Sequence, residues 1–113
     1  MAYYTTNCIP VMLPLNDTQK YDLIIDKDNK LQRVSVKTTQ HLNKAETNYI
    51  VRLCNSGGSS GKSIIRKFDK TSCDIVFILT IEGTMYEIPS ENIDAITELT
   101  LTDKWNNYIV TLN

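Results

Sequence analysis

The feature that most constrains this chain is the stretch YDLIIDKDNKLQRVSVK, Tyr21 to Lys37. Two alternating apolar runs flank a charged turn, which is the pattern of a β-hairpin. If Lys27 to Lys30 make a four-residue loop, Asp26 faces Leu31 and the pairing counts back so that Asp22 lies opposite Ser35. Side chains alternate between faces along a strand. Leu23, Ile25, Val34 and Val36 therefore form a core surface, and Asp22, Ile24, Asp26, Leu31, Arg33, Ser35 and Lys37 share the other. Directly opposed residues hold their Cβ atoms about 4.5–5.5 Å apart, so an acid, a hydroxyl and an ammonium converge on one spot. Charged side chains are mostly solvated, and Asp26 and Arg33 are read that way.

The rest of the chain is also strand-rich. CIPVMLPL reads as an edge strand bounded by Pro10 and Pro14, and NDTQ as a polar turn. QHLNKAE is a loop or one helical turn, NYIVRLC a strand, and NSGGSSGKS a flexible loop. DIVFILTI is a continuous apolar run and hence a buried strand, turned back by EGT into MYEIP. PSENIDAI allows a short helix, while TELTLT and WNNYIVTLN look like a final pair of strands. With no repeat or linker, residues 1–113 are expected to form a single domain.

Composition removes several classes of function. Twelve basic against thirteen acidic residues give a net charge of −1, so no global basic field attracts a polyanion, and any nucleic acid must be held by a local patch. The three cysteines, Cys8, Cys54 and Cys73, form no paired spacing and read as small buried hydrophobes in a reducing compartment. No apolar run approaches the length of a membrane span, so a cytoplasmic protein is expected. GGSSGKS, Gly57 to Ser63, resembles a phosphate-binding loop but has Ser56 where the pattern needs glycine. Its basic flank, Lys62, Arg66, Lys67 and Lys70, suits contacts to a DNA backbone, and a solvated charge cluster is an equal alternative. His41 is the sole histidine, which leaves histidine-based metal sites and triads without parts.

The segments YDLIID and NKLQRVSVKTT resemble the PD-(D/E)XK nuclease superfamily, in its small phage and intron-type homing endonuclease branch. In that branch an Asp opens one strand, and the second ends in a polar–apolar–Lys triplet followed by Thr. Here those are Asp22 and Ser35-Val36-Lys37-Thr38. The likeness extends faintly to VMLPLNDTQ before the hairpin and FDKTSCDIVFILTIEGTMYEIP after it. It implies a restriction-endonuclease-like α/β fold, a β-rich mixed sheet with little helix. It also implies metal-dependent hydrolysis of DNA, with Asp22, Ser35 and Lys37 catalytic and Mg²⁺ (or Mn²⁺) on Asp22 and the Val36 backbone carbonyl. Thr38, Thr39 and Gln40 would line the DNA groove, joined by Lys62, Arg66 and Lys67.

Two departures from the family pattern accompany the likeness. Ser35 stands where an acid or Gln is usual, and no Glu precedes Asp22, so the usual N-terminal helix with its Glu is expected to be missing. Those departures leave open a non-catalytic DNA-binding or structural relative, or an interaction module without nucleic acid. A homo-oligomer, dimer or higher, is expected, because cutting both strands of a duplex needs two sites. Tyr3, Tyr4, Ile9, Val11, Leu13, Trp105, Tyr108 and Ile109 are the contact candidates, unless they close the monomer's own core.

Overall fold

A computed structural model describes residues 2–15, 20–57 and 64–112, with backbone alone at 55–57 and 64–66. The polar turn NDTQ and most of the glycine-rich loop, Lys62 included, lie outside the described residues.

The hairpin forms from β2 (Leu23–Lys27) and β3 (Lys30–Thr39), in the register expected, with Asp26 opposite Leu31. Its loop is shorter than expected. Pairing continues to Lys27 opposite Lys30, and only Asp28 and Asn29 turn the chain, at φ of 55° and 61°. Asp and Asn tolerate this left-handed region, and a turn with both central residues there matches the twist of the strands it joins. The shortening leaves the register untouched because it adds one pair at the tip.

β1 (Val11–Met12) pairs with β2 as the edge strand. β8 (Ile75–Thr80) lies parallel to β3, β9 (Met85–Pro89) returns antiparallel beside it, and β11 (Ile109–Val110) closes the other edge. The main sheet among the described residues thus runs β1-β2-β3-β8-β9-β11, a mixed sheet around one parallel pair. The crossover from β3 to β8 carries β4 (His41–Leu42), β5 (Tyr49–Arg52), and the ribbon of β6 (Asn55–Gly57) with β7 (Ile64–Arg66). β10 (Glu98–Thr100) adds to β5, making a second small sheet β10-β5-β4.

Both faces of the main sheet are buried, as the unbroken apolar run of β8 requires. On the first face Leu23, Ile25, Val34, Ile75 and Phe77 pack under Tyr4. Tyr4 belongs to α1 (Ala2–Thr6), a helix that the sequence was expected to lack. Its ring is fully buried against Tyr3 and Phe77, with centroids 5.2 and 5.5 Å away. Five residues cannot hold a helix alone, so α1 exists because it buries these rings. On the second face Val76, Ile78, Tyr86 and Ile88 meet Val51, Leu53, Leu99, Leu101 and Trp105. Full burial of each such aliphatic side chain stabilises the fold by about 1.5–3 kcal/mol.

The C-terminal reading also changes. WNNY does not extend as a strand: Asp103–Tyr108 is a 3-10 turn, only Ile109–Val110 is strand, and β10 and β11 join different sheets. Turning the chain drives the Trp105 indole into the second core at 4% exposure, a larger gain than alternation offers. PSENIDAI yields one 3-10 turn, Ser90–Asn92. Of the cysteines only Cys73 is buried; Cys8 is exposed and Cys54 half-buried, so the expectation of three buried hydrophobes holds for one.

Candidate active site

Asp22 precedes β2, with its N–H donating to the Val34 carbonyl at 2.9 Å. The pairing of Leu23 with Val34 places it opposite Ser35. Its carboxylate then turns across the strand end, where Oδ2 accepts the Val36 N–H at 2.6 Å. Within a strand, N–H and C=O of one residue point the same way and alternate residues repeat that direction. The Val36 carbonyl therefore faces the side on which Asp22 lies, beyond the last ladder bond of β2. Lys37, half-buried, follows on the face shared by Asp22 and Ser35, about 7 Å along the strand from Ser35.

Ser35 is not on an open groove. It is 5% exposed, beside Val76 under the second layer. Asp22 is exposed at the margin of that layer, so the site is a rim where a solvated carboxylate meets a closed interior. On this face Ser35 is closed in, while Asp22, Asp26, Arg33 and Lys37 stay partly or fully exposed.

The other expected DNA contacts separate. Thr38 is exposed and, by alternation, on the face opposite Lys37. Thr39 is 6% exposed and donates its hydroxyl to the Ile50 carbonyl, tying β3 to β5. Gln40 is exposed just past the strand, and all three line an open depression of about 400 Å³ with Leu79, Thr80 and Ile81. Lys67 is exposed in a different depression with Phe68 and Asp94, and Arg66 lies in β7 with its side chain outside the described atoms.

Arg33, read from sequence as merely solvated, is held in place. Its Nε donates to Asp74 Oδ2 at 3.3 Å, and Nη2 reaches Asp74 Oδ1 at 3.5 Å and the Thr71 carbonyl at 3.1 Å. The guanidinium lies 6.0 Å from the ring centroid of Tyr21, the residue before Asp22. Asp74 also accepts the Arg33 N–H at 2.8 Å and donates its own N–H to the Arg33 carbonyl at 2.8 Å. Burial raises the Asp74 carboxyl, but the hydrogen bonds and charge of Arg33 outweigh it and hold it below the usual carboxylate range. The parallel pairing of β3 with β8 creates this contact across the crossover, and no local spacing announces it.

Among the described residues no three His, Cys, Asp or Glu side chains cluster as a metal site. The donor set at the rim is one exposed carboxylate and one backbone carbonyl. That set fits Mg²⁺, which is typically held by one or two carboxylates with the remainder from water and substrate phosphate.

A mixed sheet with this hairpin and a parallel neighbour defines a restriction-endonuclease-like fold. The chain belongs to the PD-(D/E)XK endonuclease family, whose model matches residues 1–108. Among solved structures it is similar to a bacterial homing endonuclease, I-Ssp6803I, at 23% identity and a TM-score of 0.74. The match covers 93% of this chain and 77% of that one, and it shows a shared fold. No curated protein sequence matches.

Proposed function

We propose that the chain is a metal-dependent DNA endonuclease of the homing or phage type, hydrolysing phosphodiester bonds at the rim formed by Asp22, Val36 and Lys37. The observation that carries this reading is the Asp22 carboxylate locked onto the Val36 N–H at 2.6 Å, beside the Val36 carbonyl and one position from Lys37. These are the groups that the family motif uses. Asp22 and the Val36 carbonyl would hold Mg²⁺ or Mn²⁺. When bound, such an ion supplies hydroxide near neutral pH and offsets charge on the phosphate.

The chain's own groups do the rest. The Val36 N–H fixes the carboxylate, so no rotamer freedom is lost when substrate arrives. Lys37 brings a cation to the phosphate oxygens and to the attacking water. Ser35, closed in by the second layer, keeps that side of the site dry and lowers the local dielectric.

The reading takes residues 1–113 as a single domain working on DNA as a homo-oligomer, a dimer or higher, in the cytoplasm. No helix among the described residues is long and apolar enough to cross a membrane. Most of the contact candidates turn inward: Tyr4 and Trp105 are buried in the chain's own cores, and Tyr3, Ile9, Val11 and Tyr108 pack against them. Leu13 and Ile109, at 72% and 40% exposure, stay available for association.

A second reading, a non-catalytic DNA-binding or structural relative, is favoured by the buried Ser35 in place of a second acid. Nicking of supercoiled plasmid with Mg²⁺ or Mn²⁺, against EDTA, separates the two. Metal-dependent nicking supports the enzyme, and DNA binding without nicking supports the relative.

A further inference from the structure

On the Asp22 face of β3, Arg33 stands two residues before Ser35 as Lys37 stands two after it. One step of this spacing is about 7 Å, comparable to one nucleotide along a strand backbone. The Arg33 guanidinium is held by Asp74 through Nε and Nη2 and by the Thr71 carbonyl, over the ring of Tyr21. None of these contacts uses Nη1, whose two N–H groups remain for a further acceptor. The side chain is 39% exposed.

It also forms part of the wall of an open cleft of about 550 Å³, where Lys27, Lys30 and Lys70 are interspersed with Asp28, Asp74, Glu87 and Glu91. A half-exposed ion pair contributes little stability, and fixing an arginine loses much rotamer freedom. Fixing becomes advantageous when a ligand gains from finding the fork already aimed.

We propose that Arg33 is a pre-aimed phosphate-binding residue, gripping the DNA backbone phosphate next to the one cut at Asp22, with Asp74 as its positioning partner. Planar forked donors suit phosphate oxygens, and the Asp74 carboxylate keeps the fork from swinging away. This rests on the nuclease reading, since it needs DNA on the Asp22 face.

The test is binding of a labelled mixed-sequence duplex in EDTA across a salt series, which needs no catalysis. Arg33→Gln should weaken binding and reduce the slope of log affinity against log salt by about 0.9, the signature of one lost phosphate contact. Arg33→Lys should restore the slope, because the charge returns. A parallel loss of affinity at every salt concentration, with the slope unchanged, would overturn the proposal while leaving the nuclease reading intact. Wild-type protein that binds no duplex would overturn both.

If Arg33→Gln fails to fold, the wild type answers alone. An arginine-selective dicarbonyl reagent should modify Arg33 in free protein and spare it when duplex is bound. Equal modification in both states would contradict the assignment.

Discussion

The Asp22 carboxylate accepts the Val36 backbone N–H at 2.6 Å, so one side chain both ends the hairpin ladder and presents the site's carboxylate. The two roles are separable. Asp22→Asn keeps an oxygen acceptor for Val36 and should fold with a melting temperature near that of wild type. Asp22→Ala leaves that N–H to water and should lose about 1 kcal/mol, read by urea denaturation. Equal stability of all three forms would show that the bond contributes nothing.

Ser35 tests how the rim handles charge. At 5% exposure a glutamate there must bury its carboxylate. Ser35→Glu should be destabilised by about 3 kcal/mol or more without divalent metal. It should recover about 2.7 kcal/mol when Mg²⁺ is present at a hundredfold its dissociation constant, since binding to the folded state adds stability by mass action. Thermal melting with and without Mg²⁺ measures this. A variant as stable as wild type and indifferent to metal would place position 35 away from any cation site.

The Arg33–Asp74 pair gives a pH signature with a definite sign. The Asp74 carboxyl titrates below its ordinary value in the folded chain. Its contribution is therefore fully present above the unfolded value, about 3.9. It fades as pH falls through the lower, folded value. Wild type should melt above Asp74→Asn at neutral pH, by a small margin because the side chain is 40% exposed, and the difference should close below about pH 4. A difference that grows on acidification would contradict the assignment.

Tyr4 separates ring from hydroxyl. Its Oη and Glu87 Oε2 are both buried, and burial, then the charge and the hydrogen bond of the Glu87 carboxylate, raise the phenol well above its usual range. Tyr4→Ala should lose about 3–5 kcal/mol by emptying the first core. Tyr4→Phe keeps the ring and removes only the hydroxyl that faces Glu87, so it should lose about 1 kcal/mol. A loss in Tyr4→Phe as large as that in Tyr4→Ala would mean that the hydroxyl, and not the ring, carries the stabilisation.

The hairpin was legible because its information is local. Alternation over Tyr21–Lys37 sets which residues are opposed, so the pairing of Asp22 with Ser35 was readable before any fold. β8 was legible for a related reason, its unbroken apolar run. What stayed hidden depends on residues far apart in sequence. AYYTT has no helical pattern, and α1 forms only against Phe77 and the sheet beneath it. Ser35 reads as polar, and its closure under the second layer depends on β5 and β10 arriving from the crossover and beyond β9. Arg33 looked solvated because Asp74, its partner, becomes adjacent only through the parallel pairing of β3 with β8.

The most direct test of the central claim is plasmid nicking by wild type, Asp22→Asn and Lys37→Ala, with Mg²⁺ or Mn²⁺, on samples shown to be folded by circular dichroism. The account predicts metal-dependent nicking by wild type, and loss of about a hundredfold or more in each variant, as expected for removing a group that stabilises the reacting phosphate. Duplex binding by Asp22→Asn in EDTA should be retained, because the proposed role of Asp22 reaches DNA only through the metal. Nicking at the wild-type rate by both variants would contradict the assignment of this rim as the active site.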